Sequence, residues 1–168
     1  MIPPLATERL ALRPIARGDA EALFPLFSDP EAMRFWSSPP FSDVEALRAW
    51  ISPSDEWPAW VMVEAGEVVG RIAIGVRRPG VAEIGYALDR RAWGRGIAAE
   101  AVKAVIAHGF GAMGLRRIFA DVDPDNIASI RLLERLGFAL EGRLRAEWET
   151  HIGVRDSLIF GLLASDRT

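Results

Sequence analysis

The chain has no cysteine and no glutamine, and only one lysine (Lys103), one asparagine (Asn126) and one tyrosine (Tyr86) among its 168 residues. Without a thiol there can be no cysteine nucleophile, no thiolate-bound zinc or iron–sulfur centre and no disulfide framework. His108 and His151 are the only imidazoles, and no metal is expected. A Walker-type phosphate loop needs a lysine directly after a glycine, whereas Lys103 follows Ala101-Val102. No segment approaches the roughly 18 uninterrupted apolar residues of a membrane span, and Met1-Ile2-Pro3-Pro4-Leu5 lacks a basic stretch leading into an apolar one. The expectation is a cytoplasmic protein with no membrane partner.

Net charge is −3, from 20 basic and 23 acidic side chains, with a pI near 5.5. That balance argues against nucleic acid as a partner, because such binding needs clustered positive charge to displace counterions. Arginine supplies all but one of the basic side chains, and any amide side chain the chemistry needs must be Asn126. Half of the residues are apolar, enough for a core without staples in a chain of this length. No repeat or low-complexity tract interrupts it, so residues 1–168 are read as one domain.

Alternation predicts a short strand over 10–14, and Asp19 heads an apolar-periodic stretch to Phe27 that Pro25 weakens as a helix. Ser42-Asp43-Val44-Glu45 has capping-box spacing before a helix to about Trp50. β-Branched, alternating segments at 60–64, 68–76 and 82–88, parted by Ala65-Gly66 and Pro79-Gly80, predict an antiparallel meander. Helical spacing of Ile97, Ala101, Val102, Val105, Ile106 and Phe110 predicts a helix over 96–110. A strand over 117–122, a helix over 126–136 ended by Gly137, and strands over 138–144 and 154–163 complete the chain.

Arg91-Ala92-Trp93-Gly94-Arg95-Gly96 therefore lies between a strand and the start of a long helix, where free N–H groups and the helix dipole favour an anion. Arg90, Arg91 and Arg95 add charge; a tight turn with exposed arginines is the bland alternative. Gly94-x-Gly96-x-x-Ala99 and Gly109-x-Gly111-x-x-Gly114 both satisfy the dinucleotide-binding pattern literally. The second follows a helix and precedes a strand, which suits helix termination. The first is not approached by a buried strand running straight into the glycines, and too little chain follows for a doubly wound sheet.

These residues resemble the GCN5-related N-acetyltransferases, and within them the branch containing the ribosomal-protein alanine and serine acetyltransferases. Arg91, Gly94 and Gly96 match the family's acetyl-CoA signature: Gln or Arg, two residues, Gly, one residue, Gly or Ala. Glu83-Ile84-Gly85-Tyr86, Trp93-Gly94-Arg95-Gly96, Ala99-Glu100-Ala101, Asn126-Ile127-Ala128-Ser129 and Leu133-Glu134-Arg135-Leu136-Gly137-Phe138 are similar to the branch's ordered motifs. So are Thr7-Glu8-Arg9-Leu10 and Asp29-Pro30-Glu31 near the start.

The resemblance implies a mixed α/β (α+β) acyl-CoA N-acyltransferase fold. Its mostly antiparallel central sheet, flanked by helices, splays between the fourth and fifth strands and admits the pantetheine arm like an extra strand. It implies acetyl-CoA as cosubstrate, held by Arg91, Trp93, Gly94, Arg95, Gly96, Ile97 and Ala98, with Asn126 and Ser129 near the thioester. The implied reaction is direct acetyl transfer to a primary amine, with a backbone N–H of the fourth strand steadying the oxyanion. The amine belongs to a protein N-terminus, a ribosomal one included, or to a small molecule such as an antibiotic, polyamine or amino acid. A non-catalytic coenzyme A sensor is the rival of another class. Glu83 matches the acidic position from which the family often deprotonates the amine, against a salt-bridge alternative. Ser129 matches the residue that protonates the departing thiolate in part of the branch, with Tyr86 the other candidate. Asn126 also suits a helix N-cap, His108 a structural place late in its helix, and His151 a loop with Glu149, substrate contact being the lesser alternative. The four tryptophans at 36, 50, 57 and 60 read as packing residues in the region that forms the family's acceptor pocket. Homodimerisation is a family-level expectation.

Overall fold

Period-two apolar patterning becomes one eight-stranded sheet in the computed structural model, which describes residues 2–166. In chain order the elements are β1 (Leu5–Ala6), β2 (Leu10–Pro14), α1 (Ala20–Phe27), α2 (Val44–Trp50), β3 (Ala59–Glu64), β4 (Glu67–Arg78) and β5 (Val81–Leu88). There follow α3 (Ile97–Phe110), β6 (Arg117–Val122), α4 (Ile127–Arg135), β7 (Ala139–Thr150) and β8 (Gly153–Leu163). The strand order is β1-β2-β3-β4-β5-β6-β8-β7. Every neighbouring pair is antiparallel except β5 and β6, which α3 connects as a parallel crossover. The expected fourth and fifth strands are thus β5 and β6, because the two-residue β1 precedes them.

Each face of the sheet carries its own core. On one, α3 buries Ile97, Ala101, Val102, Val105 and Ile106, and α4 buries Leu132 and Leu133, against Trp60, Ile72, Ile74, Ile84, Ile118 and Phe160. Each large side chain so buried contributes roughly 1.5–3 kcal/mol. On the other, α1 and α2 bury Leu23, Leu26, Phe27 and Leu47 against Val61, Ala73 and Ala87. Successive residues of β5 face opposite ways, so Ala82, Ile84, Tyr86 and Leu88 belong to the α3 side. Glu83, Gly85 and Ala87 belong to the α1/α2 side.

Pro25 sits inside α1, yet the helix persists because Leu23, Leu26 and Phe27, on either side of it, are all buried. A 3-10 turn, Arg17–Asp19, leads into that helix. Asp19 is buried there, taking two contacts from Arg13 (2.6 and 3.0 Å) and the Ala16 N–H (2.8 Å). The cap of α2 is Asp43 rather than Ser42: its backbone is extended and its carboxylate accepts from the Ala46 N–H at 2.8 Å. Strand β7 runs six residues beyond the predicted end at 144. Nearly all of it is exposed, so no buried face imposes an apolar alternation. Lys103 points to solvent from α3. Among the described residues, no helix is long and apolar enough to cross a membrane.

Two strand glycines on the α1/α2 face differ in what covers them. A Cβ on Gly75 would fall inside the Trp57 ring, whereas nothing lies within 4 Å of a Cβ on Gly85. Gly75→Ala is expected to cost about 1–3 kcal/mol by overpacking and to alter tryptophan fluorescence. Gly85→Ala should leave stability within about 0.5 kcal/mol of the parent; urea unfolding of both variants checks the contrast.

Candidate active site

Only three residue pairs join β5 to β6: Val81 with Arg117, Ala82 with Ile118 and Glu83 with Phe119. Beyond them β5 continues through Leu88 beside β4 and β6 continues through Val122 beside β8, without pairing to each other. The sheet therefore opens into a wedge whose vertex lies at Glu83 and Phe119. Backbone groups along its inner edges are available to a ligand.

The glycine loop closes the wide end. Its early amides are committed: Arg91 N–H donates to Asp89 Oδ1 (2.9 Å), Ala92 N–H to the Asp89 carbonyl (2.9 Å) and Trp93 N–H to the Arg90 carbonyl (3.1 Å). From Gly94 onward the pattern changes. The N–H groups of Gly94, Arg95, Gly96, Ile97, Ala98 and Ala99 have no partner of standard hydrogen-bond geometry among the described residues. The free amides thus run from Gly94 into the first turn of α3.

The charge of the loop is compensated locally. Arg90 pairs with Asp29, Arg91 with Asp89 (3.0 Å) and Arg95 with Glu64 (2.8 Å), so all three loop arginines have carboxylate partners. The Arg91 side chain in turn lowers the Asp89 pKa. Trp93 is half-exposed, and its indole N–H donates to the Leu88 carbonyl at 2.8 Å, tying the loop to the end of β5. Beside these exposed pairs lie the free backbone N–H groups and the positive end of the α3 dipole, which favour an anion. Gly94 and Gly96 have φ of 71° and 77°, a left-handed backbone that β-branched residues rarely adopt.

Behind the loop, Glu100 in the first turn of α3 accepts from the Thr7 hydroxyl and the Arg9 N–H (2.8 Å), and Arg9 also pairs with it at 2.7 Å. Burial alone would raise the Glu100 pKa, but these bonds together hold it below the ordinary value. Arg9 further donates to the Arg95 carbonyl at 2.9 Å. Glu100 is therefore an anchor between the N-terminal segment and α3.

Tyr86 and Ser129 meet across the opening. The phenol of β5 and the hydroxyl of α4 are 2.6 Å apart. Burial raises the Tyr86 pKa to about 12, partly opposed by the bond to Ser129, so the phenol stays protonated at neutral pH. Asn126 is the N-cap of α4, its side-chain oxygen accepting from the Ser129 N–H at 3.2 Å. Arg155 of β8 fixes the preceding loop through Asp123 (2.7 and 2.9 Å) and Asp125.

Glu83 stands at the vertex but on the opposite face of β5 from Tyr86. Its Oε2 accepts from Arg77 Nε (2.8 Å) and a terminal Arg77 nitrogen (2.6 Å). Arg77 is the extra residue where the β4–β5 register shifts, and its guanidinium lies 4.4 Å from the Trp57 ring centre. The salt bridge weighed against catalysis is thus present, while Glu83 Oε1 receives no hydrogen bond among the described residues. His108 packs edge-on against Trp60 at 5.8 Å, and burial lowers its pKa. His151 lies in the turn between β7 and β8. Trp36 and Trp50 join Phe27 and Phe41 in an aromatic cluster, and Trp60 is fully buried.

Sequence reasoning did not single out Arg71, which lies on β4 opposite Ala87 and lines a cavity on the α1/α2 face. The signal was a lone charge in an otherwise apolar run from Val68 to Val76. Groups of three or more residues able to hold a metal are absent among the described residues.

A family model described as an acetyltransferase (GNAT) domain matches residues 9–139. The p20 protein of Bacillus licheniformis, called an uncharacterised N-acetyltransferase, is 37% identical over 169 residues, covering 95% of each chain. The crystal structure of a GNAT-family acetyltransferase from Bacillus anthracis superposes with a TM-score of 0.87 at 25% identity, covering 96% of this chain and 98% of that one. A ribosomal L7/L12 α-N-protein acetyltransferase in complex with coenzyme A shares the fold at 21% identity, with a TM-score of 0.86 and coverage of 96% and 98%.

Replacing Gly94 and Gly96 together by valine is expected to weaken acetyl-CoA binding at least a hundredfold, because the free amides would lose their left-handed register. Calorimetry on the folded double variant checks this; unchanged affinity would move the pyrophosphate elsewhere.

Proposed function

The chain belongs to the GNAT acetyltransferase family, and from that premise we propose that it transfers acetyl from acetyl-CoA directly to a primary amine through the β5–β6 wedge. The observation that carries this reading is the meeting of Tyr86 and Ser129 at 2.6 Å, on a sheet that opens beside them. The ligand's contribution is an activated acetyl thioester and a pyrophosphate. Gly94, Arg95, Gly96, Ile97 and Ala98 would hold the pyrophosphate through backbone N–H groups. Arg91 and Trp93 shape the loop from its committed side, and Asn126 sets the first turn of α4 that presents Ser129.

Transfer requires a neutral amine, since an ammonium has no lone pair. Glu83 removes that proton, through water, with Oε1 as the accepting oxygen and Oε2 held by Arg77. The unpaired β5 backbone stabilises the oxyanion by N–H donation. As the carbon–sulfur bond breaks, negative charge moves to sulfur; Glu83 passes the amine's proton on to solvent, and the released thiolate takes one from solvent, so the step balances. Complete proton transfer from a phenol with a pKa of about 12 to a thiolate whose conjugate acid lies near 8.5 is uphill by about 5 kcal/mol. The Tyr86–Ser129 pair therefore serves as a hydrogen-bond donor to the leaving sulfur rather than as its proton source.

Of the acceptor classes, a small-molecule amine is favoured over a protein N-terminus, because a cavity of about 210 Å³ lies on the α1/α2 face and one of its walls, Trp57, reaches Gly75 opposite Glu83. The likeness to a ribosomal-protein acetyltransferase is one of fold.

Ser129→Ala and Tyr86→Phe should each lower kcat about 10- to 100-fold with little change in KM for acetyl-CoA. The double variant should resemble the worse single one, since the two hydroxyls act as a unit. Steady-state kinetics checks this; a raised KM at constant kcat would make both ground-state contacts. Glu83→Gln should lose on the order of 10- to 100-fold in kcat/KM at neutral pH and recover as rising pH deprotonates the amine in solution. A pH–rate profile parallel to the parent's would leave Glu83 a structural partner of Arg77.

A further inference from the structure

Among the described residues, Arg71 Nε is the only buried side-chain nitrogen or oxygen without a hydrogen-bond partner. No carboxylate pairs with this arginine, although the loop arginines and Arg9, Arg13, Arg77 and Arg155 all have one. Its guanidinium carbon lies 5.0 Å from the Trp50 ring centre. It lines the cavity of about 210 Å³ together with Ile15, Ile51, Trp50 and Trp57. Burial lowers its pKa to about 10, which leaves it charged at neutral pH. The side chain as a whole is partly buried, with Nε enclosed, and a cation so placed without a counter-ion has charge and hydrogen-bonding capacity that an anion would satisfy.

We propose that Arg71 binds the carboxylate of the acceptor, and that the acceptor is a small amino carboxylate such as a free amino acid. This rests on the acetyl-transfer reading above and names the substrate class for that site. A guanidinium meets a carboxylate through two parallel N–H···O contacts. Apart from Ser52, the walls beside it are apolar and aromatic, suited to one side chain, and the volume is below the roughly 300–1,000 Å³ of pockets for drug-sized ligands. From Arg71, opposite Ala87, the sheet surface leads two residues along, about 7 Å, to Ala73 opposite Gly85. Ala73 and Ala87 are themselves covered by α1 and α2; the cavity reaches the vertex of the wedge along its Trp57 wall, whose ring lies on Gly75, the β4 partner of Glu83. A polyamine would bring only positive charge to Arg71, and a polypeptide would need an open groove.

The test is calorimetry, in the presence of coenzyme A, with matched ligands: L-phenylalanine against 2-phenylethylamine, and L-leucine against 3-methylbutylamine. Sodium acetate, inorganic phosphate and spermidine are the further probes. At least one amino acid is expected to bind the parent protein tenfold or more tighter than its decarboxylated partner. In Arg71→Met that gap should shrink to within twofold, with acetyl-CoA affinity unchanged and a Tm equal to or above the parent's. Arg71→Lys should keep part of the gap. Equal binding of acid and amine, a gap that survives in Arg71→Met, or no binding of either amino acid would overturn the assignment. Phosphate or acetate binding as tightly as the amino acids would do so too, by making Arg71 a general anion site. Tightest binding by spermidine would do the same. Carboxylate discrimination without acetyl-CoA turnover would sink the transferase reading and leave the pocket standing; turnover of amines regardless of carboxylate would do the reverse.

Discussion

The parting of β5 from β6 after three pairs is the constraint from which the rest of the site follows. A parallel pair needs a crossover, and here α3 supplies it, so its N-terminus necessarily lies at the C-terminal end of β5. Anion-binding amides and open strand edges are thereby brought together by chain topology alone. The outer neighbours hold the two arms apart: β4 pairs along all of β5, and β8 along all of β6. The core on the α3 face is continuous across the parting, with residues of β5, β6 and β8 in one cluster, so on that face the wedge costs backbone pairing and little hydrophobic burial.

Arginine–carboxylate pairs then set the wedge's boundaries. Arg9 joins the N-terminal segment to Glu100 and to the loop carbonyl of Arg95, and Asp29 takes Arg90. These contacts give a physical role to the two opening motifs, which sit far from the glycines in sequence and against them in space. On the other arm Arg155 grips Asp123 and Asp125, and the Asn126 cap orients the first turn of α4. Ser129 is therefore placed by a chain of contacts that begins on β8. Most of these pairs are at least partly exposed, where each is worth little in stability; their effect is to select one loop geometry.

Much of this was legible before any coordinates. The strands 10–14 and 117–122 appear with the expected bounds, and α3 and α4 differ from expectation by one residue at the ends, because their apolar stripes are buried and periodic. The Asn126 cap and the glycine loop were legible for local reasons: each depends on neighbouring residues. What the sequence hid depends on partners distant in the chain. Nothing in Arg90 and Arg95 announces Asp29 and Glu64 as partners, so their charge looked available to a phosphate. Trp57 lying on Gly75, and Arg77 turned onto Glu83 by a register shift, are likewise products of strand pairing. Solvated on both faces, the outer half of β7 left no pattern to read.

The solitary lysine has a chemical meaning once the site is in view. A protein that exposes an acetyl thioester to amines also exposes it to its own side chains. Guanidinium groups remain protonated and carry no free lone pair at any ordinary pH, so arginine can build salt bridges around the site without competing as a nucleophile. Lys103, solvent-facing on α3, is the only side-chain amine in the sequence. The scaffold is thus close to inert toward its own reagent, and self-modification has a single side-chain address.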